Sequence, residues 1–105
     1  MERIGLGTVA KMRLNFTTSE GKDIEEGKIA DFSVHFFVSP SRQLVINKKE
    51  MIAEEDGYYT VFVDTAQIGI GKLQYKAVLS ILDPQYTDTF RKEVTLYNTD
   101  IDIYK

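Results

Sequence analysis

The chain contains no cysteine in its 105 residues. That removes disulfide bridges, thiolate nucleophiles and cysteine metal sites together, and it fits a reducing compartment. Histidine is almost as scarce: His35 is the single one. One imidazole with no cysteine to join it is a poor metal site and lacks the company a general base needs. It falls between Ser33 and Phe37 in an alternating stretch, so the pattern makes it a polar residue on a wetter strand face. Basic charge is not in excess. Thirteen Lys and Arg stand against sixteen Asp and Glu, giving a net charge of −3 and a pI near 5.1. A nucleic-acid partner, which needs a concentrated basic face, is not expected. Apolar runs are short and far below the length that spans a bilayer, so no membrane insertion is expected. The first residues, MERIGLGTVAKMRLNF, show no apolar stretch behind a basic one, so no signal peptide is expected.

Catalytic and cofactor signatures are missing too. There is no GxGxxG, GxxxxGK[ST], GxSxG or HExxH, no internal repeat and no low-complexity segment. Gly69-Ile70-Gly71 precedes a strand pattern rather than a helix, so it offers a phosphate no helix N-terminus. Glu54, Glu55 and Asp56 lack the alternating oxygen spacing of a calcium loop. Glu25 and Glu26 lie in a polar connection and have the look of solvated loop charges. Asp100 and Asp102 flank Ile101, and solvated edge charges explain them better than a metal pair. A carboxylate pair for hydrolysis is improbable in a sandwich of this size, which has little concavity for a substrate. The reading is a non-enzyme with no catalytic residues, no metal and no cofactor.

What the chain does have is alternation. The length fits a single domain over residues 1–105 and one core, burying roughly 60–70% of the unfolded surface. Residues 1–7 have no period and read as a lead-in. Ala10, Met12, Leu14 and Phe16 alternate with Lys11, Arg13 and Asn15, as a strand with one wet face does. Residues 17–29 are a polar connection. Phe32, Val34, Phe36 and Val38 share a face from Ala30 to Ser39. Pro40 ends that strand, Ser39 to Arg42 turn the chain, and Gln43 to Asn47 form a short strand. Residues 48–56 fit either a helical turn or a short strand, anchored by Met51 and Ile52. Asp56-Gly57 signals a hairpin. Tyr59, Val61 and Val63 then alternate with Tyr58, Thr60 and Phe62.

The longest signal runs from Asp64 to Ile81. Asp64 or Thr65 caps a short turn, Ile68 and Ile70 return to the core, and Gly69 and Gly71 turn a corner. Leu73, Tyr75, Ala77, Leu79 and Ile81 follow on one face, with Gln74, Lys76, Val78 and Ser80 on the other. Asp83-Pro84 closes the strand. A loop runs to about Arg91. Val94 and Leu96 then share a face, Asn98 to Asp100 bulge or turn, and Ile101, Ile103 and Tyr104 end the chain. The fold class is all-β: an antiparallel immunoglobulin-like β-sandwich of about seven strands. Tyr75, Leu79, Val34, Phe36, Leu14 and Val61 are expected in one core.

Two stretches, DFSVHFFVSPSRQLVINKKEMI and DGYYTVFVDTAQIGIGKLQYKAVLSILD, carry a resemblance across about residues 30–82. They are similar to the Ig-like domains of bacteriophage tail and baseplate proteins, of the baseplate upper protein N-terminal type. The shared features are the aspartate and aromatic ahead of an alternating strand, the Tyr-bearing strand, the Asp-Thr cap and the Gly-x-Leu corner. The Gly-x-Leu-x-Tyr run also resembles the corner tyrosine of Ig-like and fibronectin-like sandwiches, which implies a phenol bonded to nearby backbone. The phage resemblance implies a structural or assembly module that acts through protein–protein contacts or self-association, in a virion or the cytoplasm, and it brings no catalytic residues. The candidate contact surface is Tyr58, Thr60, Phe62, Tyr86 and Phe90. The alternative is a cell-envelope binding module for carbohydrate or protein, with Tyr58, Tyr86, Phe90 and Tyr97 as an aromatic platform.

Overall fold

The computed structural model describes residues 2–16, 29–55, 57–82 and 90–105, Phe90 for its backbone alone. The predicted 17–29 connection (apart from Ile29), Glu25 and Glu26, Asp56, most of the 83–91 loop and Tyr86 lie outside them. The described residues form eight strands: β1 (Glu2–Gly5), β2 (Val9–Leu14), β3 (Ile29–Phe37), β4 (Gln43–Asn47), β5 (Ile52–Ala53), β6 (Tyr59–Asp64), β7 (Gly71–Leu82) and β8 (Phe90–Tyr104). They make two sheets. One has five strands in the order β1-β8-β7-β3-β4, and the other has three in the order β2-β6-β5. This is an all-β, two-sheet arrangement of the sandwich kind.

The alternation in the sequence sets which side chains face the space between the sheets. In β7, Leu73, Ala77, Leu79 and Ile81 are buried, and Leu79 is fully enclosed. They meet Val34 and Phe36 of β3 and Val61 and Val63 of β6 in one cluster with Leu14 and Phe16. The expected core set is therefore together, except that Tyr75 is half-buried at its margin. Phe16, Phe32 and Tyr59 pack ring to ring, with centroids 4.6 Å apart for Phe16–Phe32 and 4.8 Å for Phe32–Tyr59. Tilted and edge-on contacts of this kind suit the ring quadrupoles.

The turns follow local chemistry. Arg42 N–H donates to the Ser39 carbonyl at 3.1 Å, closing the β3–β4 hairpin at Pro40. Gly57 has φ +83, and Glu54 N–H donates to the Tyr58 carbonyl at 2.8 Å across the β5–β6 hairpin. Between β6 and β7, Asp64 accepts a hydrogen bond from Ala66 N–H at 3.1 Å and caps a 3-10 turn over Thr65–Gln67. Gly69 and Gly71 then take φ of +115 and +132, a region open to glycine and rarely to other residues.

Several expectations need correction. The lead-in is a strand: β1 pairs parallel with β8, Glu2 opposite Ile101 through Gly5 opposite Tyr104. The five-stranded sheet is therefore mixed, not antiparallel throughout. Four residues carry too little pattern to show a period, and only partner geometry makes them a strand. Residues 48–53 hold both alternatives, a 3-10 turn at Lys48–Glu50 and then β5. Met51 is the anchor there, whereas Ile52 is exposed. Ile68 is buried but Ile70 is exposed, because the glycine corner reverses the chain between them. The corner-tyrosine role does not fit either. Tyr75 stacks on Tyr97, centroids 4.8 Å apart, and meets Phe36 at 5.5 Å. The buried corner hydroxyl belongs to Thr65 instead. It donates to the Thr8 carbonyl at 2.8 Å and accepts from Gly7 N–H at 2.9 Å, tying the β1–β2 turn to the end of β6.

Candidate functional site

The candidate contact residues of β6 lie on the outer face of the three-stranded sheet. Because strand side chains alternate, burial of Tyr59, Val61 and Val63 sends Tyr58, Thr60 and Phe62 to the opposite face. Phe62 is 54% exposed there. Its cross-strand neighbour is Lys11, and Arg13 stands opposite Thr60, with Ile52 of β5 on the other side of Thr60. Val9 and Ile52, 57% and 54% exposed, extend the apolar surface to both neighbouring strands. The face therefore presents three uncovered apolar side chains interleaved with two cations.

Thr60 has a different place from that expected. It is 3% exposed, and its hydroxyl donates to Glu54 Oε1 at 2.7 Å. It forms the floor of an open depression of about 500 Å³ lined by Lys11, Arg13, Glu54 and Glu55. The Arg13 guanidinium lies over the Tyr58 ring, 4.7 Å from its centroid, a cation–π contact that fixes both side chains. Lys11, Arg13, Val9 and Ile52 also belong to this surface, although the sequence pattern assigns them no contact role. The signal for the basic pair was present, since Lys11 and Arg13 alternate with buried Leu14 and half-buried Met12. Which β6 residue they adjoin depends on register, which no single strand reveals.

Phe90 and Tyr97 belong to the other sheet. Phe90 begins β8 in the five-stranded sheet, two strands away from the β3–β4 hairpin. Tyr97, part of the aromatic-platform alternative, is stacked on Tyr75 on the inner face of that sheet. It does not share a surface with Tyr58. Tyr75 has its phenol pushed up to about 12, by burial first and by the neighbouring Tyr97 second. The Tyr75 phenol therefore stays protonated and neutral across the physiological range.

His35 lies on the outer face of the five-stranded sheet. Nδ1 is 3.1 Å from Gln43 Oε1 and Nε2 is 3.3 Å from Ser33 Oγ, so both ring nitrogens have neutral polar neighbours. That matches the polar, wetter-face role expected of it. Val94 and Leu96 do share a face, and it is the outer one, where they are 51% and 57% exposed. Their alternating neighbours Glu93, Thr95 and Tyr97 point inward, and Glu93 forms a 3.1 Å ion pair with Arg91. Glu93 is buried there, opposite Leu79 of β7, and Thr95 stands opposite Ala77. Asn98 to Asp100 do bulge: Gln74 pairs with Asn98 and Lys72 with Asp102. The Thr99 hydroxyl donates to the Leu73 carbonyl at 2.6 Å and holds the bulge. Among the described residues no three His, Asp or Glu side chains gather as a metal site. No helix among them is long and apolar enough to cross a membrane.

No family model matches the chain, and neither a curated protein nor a solved structure matches it.

Proposed function

We propose that this chain is an immunoglobulin-like sandwich serving as a non-catalytic structural or assembly module, of the kind found in phage tail and baseplate proteins, and that it acts through protein–protein contacts. The strand order supports the fold part of this reading. β8-β7-β3-β4 against β2-β6-β5 corresponds to G-F-C-C′ against B-E-D in a variable-type sandwich. The observation that carries the functional part is the outer face of the smaller sheet. Phe62, Val9 and Ile52 are each more than half exposed there, side by side with Lys11 and Arg13. Aromatic and aliphatic side chains left in water beside arginine are the composition of a protein contact patch.

Placing a photo-crosslinking residue at Phe62 in the full chain, within its source, tests this. The expected product is an adduct to a polypeptide, absent when the same group is placed at Ser41 in the exposed β3–β4 turn. An adduct to glycan alone would favour the cell-envelope carbohydrate reading. No adduct at all would remove this face from the account.

A further inference from the structure

The depression above Thr60 has walls of opposite charge. On one side Lys11 and Arg13 stand two residues apart on the outer face of β2, about 7 Å from one another along the strand. On the other side Glu54 and Glu55 follow directly on β5. β6 runs between β2 and β5, so the two backbones are held roughly 10 Å apart, two strand spacings. Thr60, in the middle strand, is buried and forms the floor. The space between the walls, about 500 Å³, is in the range of small-ligand sites. The fold already orients one group of each wall. The Arg13 guanidinium lies 4.7 Å from the centroid of the Tyr58 ring, a stack that holds its plane and directs its N–H donors along its edge. Glu54 Oε1 accepts from the Thr60 hydroxyl at 2.7 Å, and a carboxylate has acceptor sites for several donors.

We propose that this depression binds a short zwitterion, its phosphate or carboxylate on Lys11 and Arg13 and its primary ammonium on Glu54 and Glu55. The order of charges selects this class over simpler ones. A plain anion drawn to the β2 wall lies opposite two carboxylates, and a plain cation drawn to the other wall lies opposite Lys11 and Arg13. Each gains at one wall and loses at the other, whereas a ligand with both charges gains at both. The guanidinium fork and the lysine ammonium match an anion with more than one oxygen, and a primary ammonium brings three donors to the two carboxylates. A quaternary ammonium has no such donors, and the Tyr58 ring that could take its charge already has Arg13 over it. A neutral sugar brings charge to neither wall. The site needs no partner protein, so it goes beyond the Phe62 contact and does not rest on it.

Titration of the isotope-labelled full chain, followed by its backbone amide resonances, tests the proposal with phosphoethanolamine and γ-aminobutyrate as the zwitterions. Ethyl phosphate, butyrate and ethanolamine serve as halves that carry charge of one sign. Saturating shifts centred on Lys11, Arg13, Glu54, Glu55 and Thr60 are expected with at least one zwitterion, at a Kd about tenfold or more below that of either half. The tighter of the two identifies the anion as phosphate or carboxylate. Lys11 and Glu55 are both exposed, so Lys11→Glu and Glu55→Lys probe the walls one at a time. Each should raise the Kd about tenfold. Lys11→Gln or Glu55→Gln, with a smaller rise, takes over where circular dichroism shows that a charge reversal does not fold. The proposal is overturned if neither zwitterion saturates, if a half binds as tightly as the whole, or if the Kd is unchanged in a folded wall variant. No partner protein is present in the titration, so these results leave the Phe62 contact untouched.

Discussion

Single residues carry the corners of this fold. An added Cβ at Gly71 would meet Val38 Cγ1 at 2.6 Å, on a backbone of φ +132 that L side chains rarely adopt. Gly71→Ala combines strain with a clash, and a loss of about 1–3 kcal/mol in chemical denaturation is expected from the backbone alone. Gly57 has open space around its Cβ direction, so Gly57→Ala meets the backbone cost without the clash and should lose less. Thr65 is the other corner residue. Thr65→Val removes the hydroxyl that serves Gly7 N–H and the Thr8 carbonyl and should cost about 1–3 kcal/mol. Tyr75 gives a pH signature. Its phenol titrates near 12 in the folded chain and near 10 when unfolded. Between those values the folded state binds the extra proton, so stability is full below about 10 and falls as pH rises through about 12. Tyr75→Phe should flatten that alkaline decline, measured by the urea midpoint between pH 9 and pH 12.

At the scale of elements, β7 is the axis of the structure. It pairs with β3 on one side and β8 on the other, and its inward row packs against the smaller sheet. Leu79→Ala, at a fully enclosed site, should cost about 2–5 kcal/mol in equilibrium unfolding. Most of this was legible in the sequence. The period-two pattern from Leu73 to Ile81 fixes the inward row, and Pro40 and Gly57 mark hairpins by mechanisms that act within a few residues. The rest depends on partners distant in the chain. β1 is four residues without a pattern and becomes a strand only against Ile101–Tyr104. Thr65 looks like one more turn residue until the fold brings Thr8 to it. Glu93 and Thr95 face inward because they pair with Leu79 and Ala77 of β7, a register that no single segment contains. The candidate site was legible in half for the same reason. Alternation put Phe62 outside and Val61 inside, but only register placed Lys11 beside Phe62 and Arg13 beside Thr60.

For the whole molecule, the two-sheet arrangement leaves two broad outer faces, each with uncovered apolar side chains. On the smaller sheet these are Val9, Ile52 and Phe62 among cations. On the larger they include Val45, Leu82, Val94 and Leu96. The face of the smaller sheet is the one proposed for a protein partner, with Phe62 making a contact the fold does not need. Quantitative partner recovery by the immobilised full chain, wild type against Phe62→Asp at equal folded concentration, tests that contact. Phe62→Asp is expected to keep the wild-type thermal unfolding midpoint and to lose about tenfold or more of the recovered partner. Undiminished recovery by a folded Phe62→Asp chain would contradict it.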